Sequence, residues 1–459
     1  MNPLPLETIA AFAGGTLTRG HGRVAHAVST DSRRIEPGAI FVALRGENFD
    51  GHRYVLLASK GGAVAAMVER GFRLTDDIAE LPLIEVDDTL IGYQRLAAAY
   101  RRSLPLRVVG ITGSNGKTST KDFVAAVLSR GFRVQKTEGN FNNHIGVPRM
   151  LLHTGDQDEI AVLEMGMNHA GEIAPLVQMA APEVGIITNI GTAHLEFLGS
   201  SAAIAREKGD LVAMIPADGL VILGADDEFT PAIAGRCAAP VQLVGFSRGA
   251  IRAENVTEEL SGSRFDVVTE DGTRKAASLP VPGRHMVLNS LFAFATGLHF
   301  GITLAESAAA LRDVSLTSSR LQRRDVGGLA FLDDTYNANP ESMIAALETL
   351  ARIPVRGRRI AVLGRMGELG PEAPAGHRRV GDAAARVGLD YLVCVGAEAR
   401  WIAEGAKARG LTNVAAVEDT LEAARCVREF ARADDLTLVK GSRSAAMETL
   451  FAHLASATN

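Results

Sequence analysis

A chain of 459 residues is longer than one ordinary core organises and predicts about three domains. Its composition, 47% apolar, 22% charged and only 5% aromatic, excludes a disordered chain and a base-stacking binder of nucleic acid. The formal net charge of -5 gives no long-range pull on an anionic ligand, so any phosphate must be met locally by N–H groups and a few basic side chains.

The chain opens on Met1-Asn2-Pro3-Leu4-Pro5-Leu6-Glu7, without a basic segment leading into an apolar core, and no later apolar run approaches membrane-spanning length. A cytoplasmic protein, free of membrane and nucleic acid, is expected. Cys237, Cys394 and Cys426 are scattered and odd in number, which suits a reducing compartment and suggests neither a disulfide framework nor a zinc knuckle.

Short apolar runs alternate with helical patterns almost throughout, so the class is α/β, with parallel sheets covered by helices. Ile40–Leu44, Ala63–Val68 and Leu83–Val86 read as strands of a first unit. Asp87-Asp88 precedes an amphipathic helix over Leu90–Tyr100, and the first boundary falls near residue 87, dividing 1–86 from 87–313. In the second unit the strands are Arg107–Ile111, Ile160–Leu163, Val184–Thr188 and Leu220–Leu223. Ligands of open α/β sheets gather beyond the carboxyl ends of strands, so the loop after Ile111, Glu164, Asn189 and Asp226-Asp227 could share one rim. Asp271-Gly272, between Phe265–Thr269 and the run from Arg274, is a two-residue hairpin signal. A third unit, 314–459, restarts the pattern with Ala330–Leu332, Ile360–Leu363, Tyr391–Val395 and Leu436–Val439. Gly364, Gly367 and Gly370 are spaced by three, unlike Gly-x-Gly-x-x-Gly, and read as loop chemistry.

The most informative stretch is Val108-Val109-Gly110-Ile111-Thr112-Gly113-Ser114-Asn115-Gly116-Lys117-Thr118-Ser119-Thr120. An apolar run, a glycine-studded turn and Lys-Thr at the start of a helix form a phosphate cradle: backbone N–H groups converge on the anion, Lys117 neutralises terminal phosphates and the Thr118 hydroxyl can ligate magnesium. The pattern departs from a strict P-loop because Ile111 stands where the first glycine belongs. Glu164, at a strand end, could hold magnesium directly or through water. His194, in Thr188-Asn189-Ile190-Gly191-Thr192-Ala193-His194, could orient a carboxylate or join a metal site.

Thr112-Gly113-Ser114-Asn115-Gly116-Lys117-Thr118, Glu164-Met165-Gly166 and Asn189–His194, in this order, resemble the Mur ligase family. The resemblance implies a three-domain architecture with a central P-loop ATPase-like domain and a Rossmann-like C-terminal domain. It assigns Gly113, Ser114, Asn115, Gly116, Lys117, Thr118 and Ser119 to ATP, and Thr118, Glu164 and His194 to two magnesium ions. Lys208, in Ala205-Arg206-Glu207-Lys208-Gly209-Asp210, matches the family lysine that becomes a carbamate and binds the second ion, whereas spacing alone makes it a helix-face lysine. Lys117, Lys208 and His194 are the implied catalytic groups. Gly283-Arg284-His285-Met286-Val287-Leu288-Asn289 is similar to the family's adenine segment, retaining Asn289 but carrying Met286 where an asparagine is usual. Arg320 and Asp334 match positions that reach ATP across the interdomain cleft.

Asn140-Phe141-Asn142-Asn143-His144 and Tyr336-Asn337-Ala338-Asn339-Pro340 resemble the branch that joins D-alanyl-D-alanine to UDP-N-acetylmuramoyl-tripeptide in peptidoglycan precursor synthesis. Asn142, Asn143, Tyr336, Asn337 and Asn339 are therefore expected at the substrates. The Asp-Asn-Pro-Arg of the branch adding the third residue is missing, while Lys440-Gly441-Ser442-Arg443 and Met366-Gly367-Glu368-Leu369-Gly370 fit, with Arg365 at a usually acidic place. Ser32 and Arg33, in Thr30-Asp31-Ser32-Arg33-Arg34, resemble the uridine-nucleotide site and offer a hydroxyl and a bidentate fork. The resemblance implies a monomer that uses ATP to make an acyl phosphate, which the dipeptide amine attacks. Another Mur-type ligase, or a P-loop ATPase that ligates nothing, is the alternative.

Overall fold

The computed structural model describes residues 1–74, 78–317 and 319–456. Three main sheets organise them. The first has five strands in the order Thr16–Leu17, Leu83–Val86, Ala65–Glu69, Ala39–Val42, Ala27–Ser29, parallel except at Thr16–Leu17. Helix Thr89–Ser103 follows, begun by the Asp88 carboxylate, which accepts the Ile91 N–H at 2.9 Å. Its apolar face, Tyr93, Leu96, Ala97 and Tyr100, is buried in a core shared with helices Gly146–His153 and Ile173–Ala180 of the next unit. The Tyr100 hydroxyl donates to Thr154 O at 2.8 Å and accepts the Asn2 N–H at 2.7 Å, tying the chain start to the second unit.

The second sheet has nine strands. Val134–Lys136, Ile160–Glu164, Arg107–Thr112, Val184–Ile187, Leu220–Gly224, Val241–Gly245 and Ile251–Glu259 run parallel; Gly262–Thr269 and Arg274–Leu279 continue it antiparallel. The central strands are continuous apolar runs because helices cover both faces. Helix Lys117–Leu128 and helix Arg284–His299 pack together on one face. The latter buries Val287, Leu291, Phe292 and Phe294 completely, each side chain contributing about 1.5–3 kcal/mol. Met286 is also in that core, 3% exposed, so the departure from asparagine places an apolar thioether among apolar neighbours.

The third sheet is ordered Gln322–Val326, Leu329–Asp334, Leu436–Lys440, Arg359–Gly364, Tyr391–Val395, Val414–Val417, parallel after its antiparallel first pair. The α/β class holds. The expected two-residue hairpin has a three-residue loop: Val268 pairs with Arg274, the Thr269 N–H bonds Thr273 O and the Gly272 N–H bonds Thr269 O, so the turn centres on Glu270 and Asp271 with Gly272 after them at φ +82°. Among the described residues no helix is long and apolar enough to cross a membrane.

Candidate active site at the P-loop

Strand Arg107–Thr112 lies between Ile160–Glu164 and Val184–Ile187, with Ile111 level with Glu164 and Thr112 level with Ile187. Three parallel strands thus deliver the P-loop, Glu164 and Thr188–His194 to one edge. Ile111 is fully buried within its strand, so the turn proper is Gly113–Gly116, which accounts for the missing first glycine. Gly113 has φ +147°, and a Cβ there would stand 1.9 Å from Thr188 Oγ1; Gly116 has φ +82°, and its Cβ would stand 2.6 Å from Asn289 Oδ1. Both positions demand glycine.

Neighbouring loops hold the turn. Ser114 N–H donates to Asn189 O at 3.0 Å, Asn115 N–H to Asn189 Oδ1 at 2.9 Å, the Thr188 hydroxyl to Asn115 O at 2.5 Å and Gly191 N–H to the Ser114 hydroxyl at 2.8 Å. Asp227 accepts the Ile190 N–H at 2.6 Å, while Asp226 faces Arg248 at 3.5 Å. Lys117 Nζ donates to Gly113 O at 2.7 Å, and burial lowers its pKa against the opposing pull of Glu164. Thr118 and Ser119 follow Lys117 in the first turn of the helix, both buried.

Around this turn lie polar atoms sealed from solvent without hydrogen-bond partners: Glu164 Oε1 and Lys208 Nζ. Lys208 is 0% exposed. Burial first, then the nearby Lys117, drives its pKa well below the ordinary lysine value, with Glu207 opposing. Glu207 itself accepts the Gly171 and Ile173 N–H groups at 2.8 and 2.9 Å. His194 has φ +66°, and its Nδ1 is 2.8 Å from Glu368 Oε2, within ion-pair reach but without hydrogen-bond alignment. The His194 ring, and more weakly Lys117, holds the Glu368 carboxyl below its usual pKa. Among the described residues no group of three His, Cys, Asp or Glu stands ready for a metal. A set built from Thr118, Glu164, His194 and Lys208 has only two such residues, and its orphaned carboxylate oxygen and amine are where ligands are wanted.

The C-terminal unit meets this edge directly. Arg320 Nη2 donates to Thr118 Oγ1 at 2.8 Å with its guanidinium 4.3 Å from the Tyr336 ring centroid, and Asn339 Nδ2 donates to Asn115 Oδ1 at 2.8 Å. The Thr192 hydroxyl donates to Glu341 at 2.8 Å, and Glu341 also accepts from Arg379 at 2.5 Å. Asp334 is paired with Lys440 at 2.6 Å; burial raises its pKa and Lys440 counters. Lys440 also donates to Asn337 O at 2.9 Å, and Asn337 Oδ1 accepts the Ala338 N–H at 2.9 Å. His285 is driven down to about 4 by burial, then by Lys440 and Arg352. Arg365 is matched by Glu398 at 3.1 Å, so its departure is met by a carboxylate.

Other expected residues lie outside this cluster of contacts. Asn143 Oδ1 accepts the Ile145 and Gly146 N–H groups at 3.1 and 2.9 Å, which starts helix Gly146–His153, and Asn142 O accepts the Gly166 N–H at 2.8 Å. That helix packs on strand Ala27–Ser29, which leads to Ser32 and Arg33. Arg33 is exposed and forked onto Asp31 at 2.9 Å from both Nε and Nη2, which holds Asp31 down to about 2. Glu368, Glu341 and Lys440 had no individual role in the sequence reading. The left-handed φ of +60° at Glu368 is the structural sign of a constrained position, and no residue type announced it.

Comparison with known proteins agrees along the chain. Family models match residues 24–101 (Mur ligase family, catalytic domain), 111–297 (Mur ligase middle domain) and 319–443 (Mur ligase, glutamate ligase domain). The chain is 36% identical over 450 residues to a UDP-N-acetylmuramoyl-tripeptide--D-alanyl-D-alanine ligase of Bacillus subtilis, covering 97% of each. It is 39% identical over 432 residues to the ligase of the same name from Escherichia coli, covering 92% of each. Crystal structure I of MurF from Acinetobacter baumannii superposes with a TM-score of 0.91 at 32% identity, covering 99% of both chains. MurF ligase from Thermotoga maritima in complex with ADP gives 0.84 at 26% identity, covering 94% of this chain and 97% of that one. The chain belongs to the Mur ligase family.

Proposed function

We infer that this protein is an ADP-forming ligase that joins D-alanyl-D-alanine to UDP-N-acetylmuramoyl-tripeptide, a step of peptidoglycan precursor synthesis. The observation that carries this reading is the meeting of two domains over one P-loop, where Arg320, Asn339 and Glu368 of the third sheet's unit touch Thr118, Asn115 and His194. Relatives named for this reaction supply the substrates.

The tripeptide's terminal carboxylate attacks the γ-phosphorus of ATP and ADP leaves; the dipeptide amine then adds to the acyl carbon, and phosphate departs as the amide forms. Gly113–Ser119 would cradle the phosphates through backbone N–H groups. Lys117 would offset their charge, and Asn289, against Gly116, would lie toward the adenine. Thr118, Glu164, His194 and Lys208 would hold two magnesium ions, which when bound neutralise charge on the transferring phosphoryl group. The fit rests on Lys208 Nζ, which has no partner, and on Glu164 Oε1, which has no hydrogen bond and only Lys121 Nζ at 3.7 Å; a buried polar group costs about 1–3 kcal/mol when its hydrogen bond is left unmet. Burial disfavours the ammonium of Lys208 and so favours the unprotonated amine, the form that can add to carbon dioxide with loss of one proton and become a carbamate.

Ser32, Arg33, Asn142 and Asn143 would serve the tripeptide nucleotide, and Tyr336, Asn337 and Asn339 the dipeptide side. Units 1–86, 87–313 and 314–459 would then bind the uridine nucleotide, bind ATP, and bring the dipeptide while closing over ATP with Arg320 and Asp334. Closure excludes water from the acyl phosphate. The protein would act as a cytoplasmic monomer. Mass spectrometry of a reaction holding ATP, magnesium, the tripeptide nucleotide and D-alanyl-D-alanine should show the pentapeptide nucleotide. A product only from the dipeptide nucleotide with a free amino acid would instead make it a sibling ligase.

A further inference from the structure

The connector leading from the second sheet to the third is tied to the P-loop helix at two points. Thr118 and Asp122 are four residues apart on helix Lys117–Leu128, so both side chains lie on one face, a turn apart. Arg320 binds the Thr118 hydroxyl at 2.8 Å. Thr317 donates twice to Asp122 Oδ2, from its backbone N–H at 2.8 Å and from its hydroxyl at 2.8 Å. The ties differ in what lies behind them. The Thr118 hydroxyl is wanted by magnesium in the proposed function, so Arg320 must release it when nucleotide binds. Asp122 is held from the other side: its side chain is fully buried, and its Oδ1 accepts from Lys136 Nζ at 2.6 Å and faces Lys121 Nζ at 3.4 Å. Lys121 donates to Thr137 O at 2.9 Å, the Thr137 hydroxyl accepts the Glu164 N–H at 2.9 Å, and Lys121 Nζ is 3.7 Å from Glu164 Oε1.

We propose that Asp122 is a positioning residue for ligation, the pin on which the connector turns: it keeps Thr317 on the P-loop helix while Arg320 exchanges Thr118 for the bound nucleotide. Two hydrogen bonds to one carboxylate oxygen fix both the place and the direction of Thr317. Three residues of chain reach at most about 10 Å, so a pinned Thr317 confines Arg320 to the phosphate site. The same buried carboxylate, through Lys121 and Thr137, braces the strand end that presents Glu164. The inference rests on the ligase reading.

The test uses the full-length protein with Asp122→Ala, Thr317→Val, their double variant and Tyr100→Phe. Steady-state kcat, the dissociation constant for ADP by calorimetry, and Tm are measured on each. Thr317→Val, which removes one of the two bonds, should lower kcat about fivefold to tenfold, and Asp122→Ala about a hundredfold, with ADP affinity nearly unchanged. The double variant should be no worse than Asp122→Ala, because both changes remove one interaction. Tyr100→Phe, which removes the bonds to Asn2 and Thr154 and touches neither Asp122 nor Thr317, should lower Tm yet keep kcat within about twofold. Wild-type kcat in Thr317→Val, or kcat that follows Tm across all variants including Tyr100→Phe, would overturn the pin and leave only packing. Absence of dipeptide-dependent turnover in the wild type would fault the ligase reading instead. The pin is then read by X-ray scattering: ADP should contract the wild type and not Asp122→Ala, and equal contraction would refute it.

Discussion

Lys208 concentrates the chemistry at the scale of one residue. A buried amine without a partner is a cost that an enzyme carries only for use. Lys208→Met should therefore abolish ligation and, in bicarbonate-free buffer, stabilise the protein by about 1–3 kcal/mol. The sign with pH follows from the lowered pKa. Between the depressed pKa of the folded state and the ordinary lysine value of about 10.4 the unfolded chain binds a proton that the folded one lacks, so wild-type stability rises with pH in that window. The advantage of Lys208→Met should shrink as pH is raised, read by calorimetry at two pH values; a less stable Lys208→Met would contradict it. Lys208→Ala should regain part of its activity with added short carboxylates standing in for the proposed carbamate as magnesium ligand. Full activity without them would remove Lys208 from the reaction. Only the family resemblance pointed to Lys208, since spacing cannot distinguish a solvated helix face from one covered by a neighbouring sheet. Glu368 was illegible for a related reason: its partner, His194, lies across a domain cleft.

At the scale of elements, the P-loop is a rigid turn whose shape neighbouring loops impose. Gly113→Ala would bring a Cβ against Thr188 Oγ1 in a φ region that alanine avoids. It should weaken ADP binding by at least about tenfold and lower Tm, both read by calorimetry; wild-type affinity would show that the turn is pliable. Lys117→Ala leaves the turn's backbone intact and should abolish ligation without unfolding, checked by circular dichroism beside the assay. The buried strands were legible as runs such as Ile160–Leu163 and Tyr391–Val395, because a strand covered on both faces must be apolar throughout. The edges were not. Gln322–Val326 is Gln-Arg-Arg-Asp-Val, a charged edge strand whose composition guards against pairing with another chain and hides it from a hydrophobicity pattern. Val134–Lys136 is only three residues long and escaped for want of period. The Asp271-Gly272 signal found its hairpin but misplaced the turn by one residue: the Thr269–Thr273 bond continues the register, and the Gly272 N–H closing on Thr269 O leaves Glu270 and Asp271 at the centre with Gly272 in the left-handed position after them.

For the whole molecule, the claim is that ATP chemistry is released only when three domains and three substrates assemble. Asn339 joins two of its parts, since it bonds Asn115 of the P-loop and caps helix Pro340–Arg352 through Ser342. Asn339→Ala should cost about 1 kcal/mol of stability from the cap and lower kcat further than that loss explains. The family resemblance was legible because P-loop, Glu164 and His194 segments recur in order, whereas the pairing of Arg320 with Thr118 joins residues 202 positions apart and no local pattern encodes it. The most direct measurement of the central claim is phosphate release from ATP and magnesium with neither, either or both of UDP-N-acetylmuramoyl-tripeptide and D-alanyl-D-alanine. Appreciable release only when both are present, matched one for one by amide product, is the result predicted; equal release from ATP alone would contradict the account.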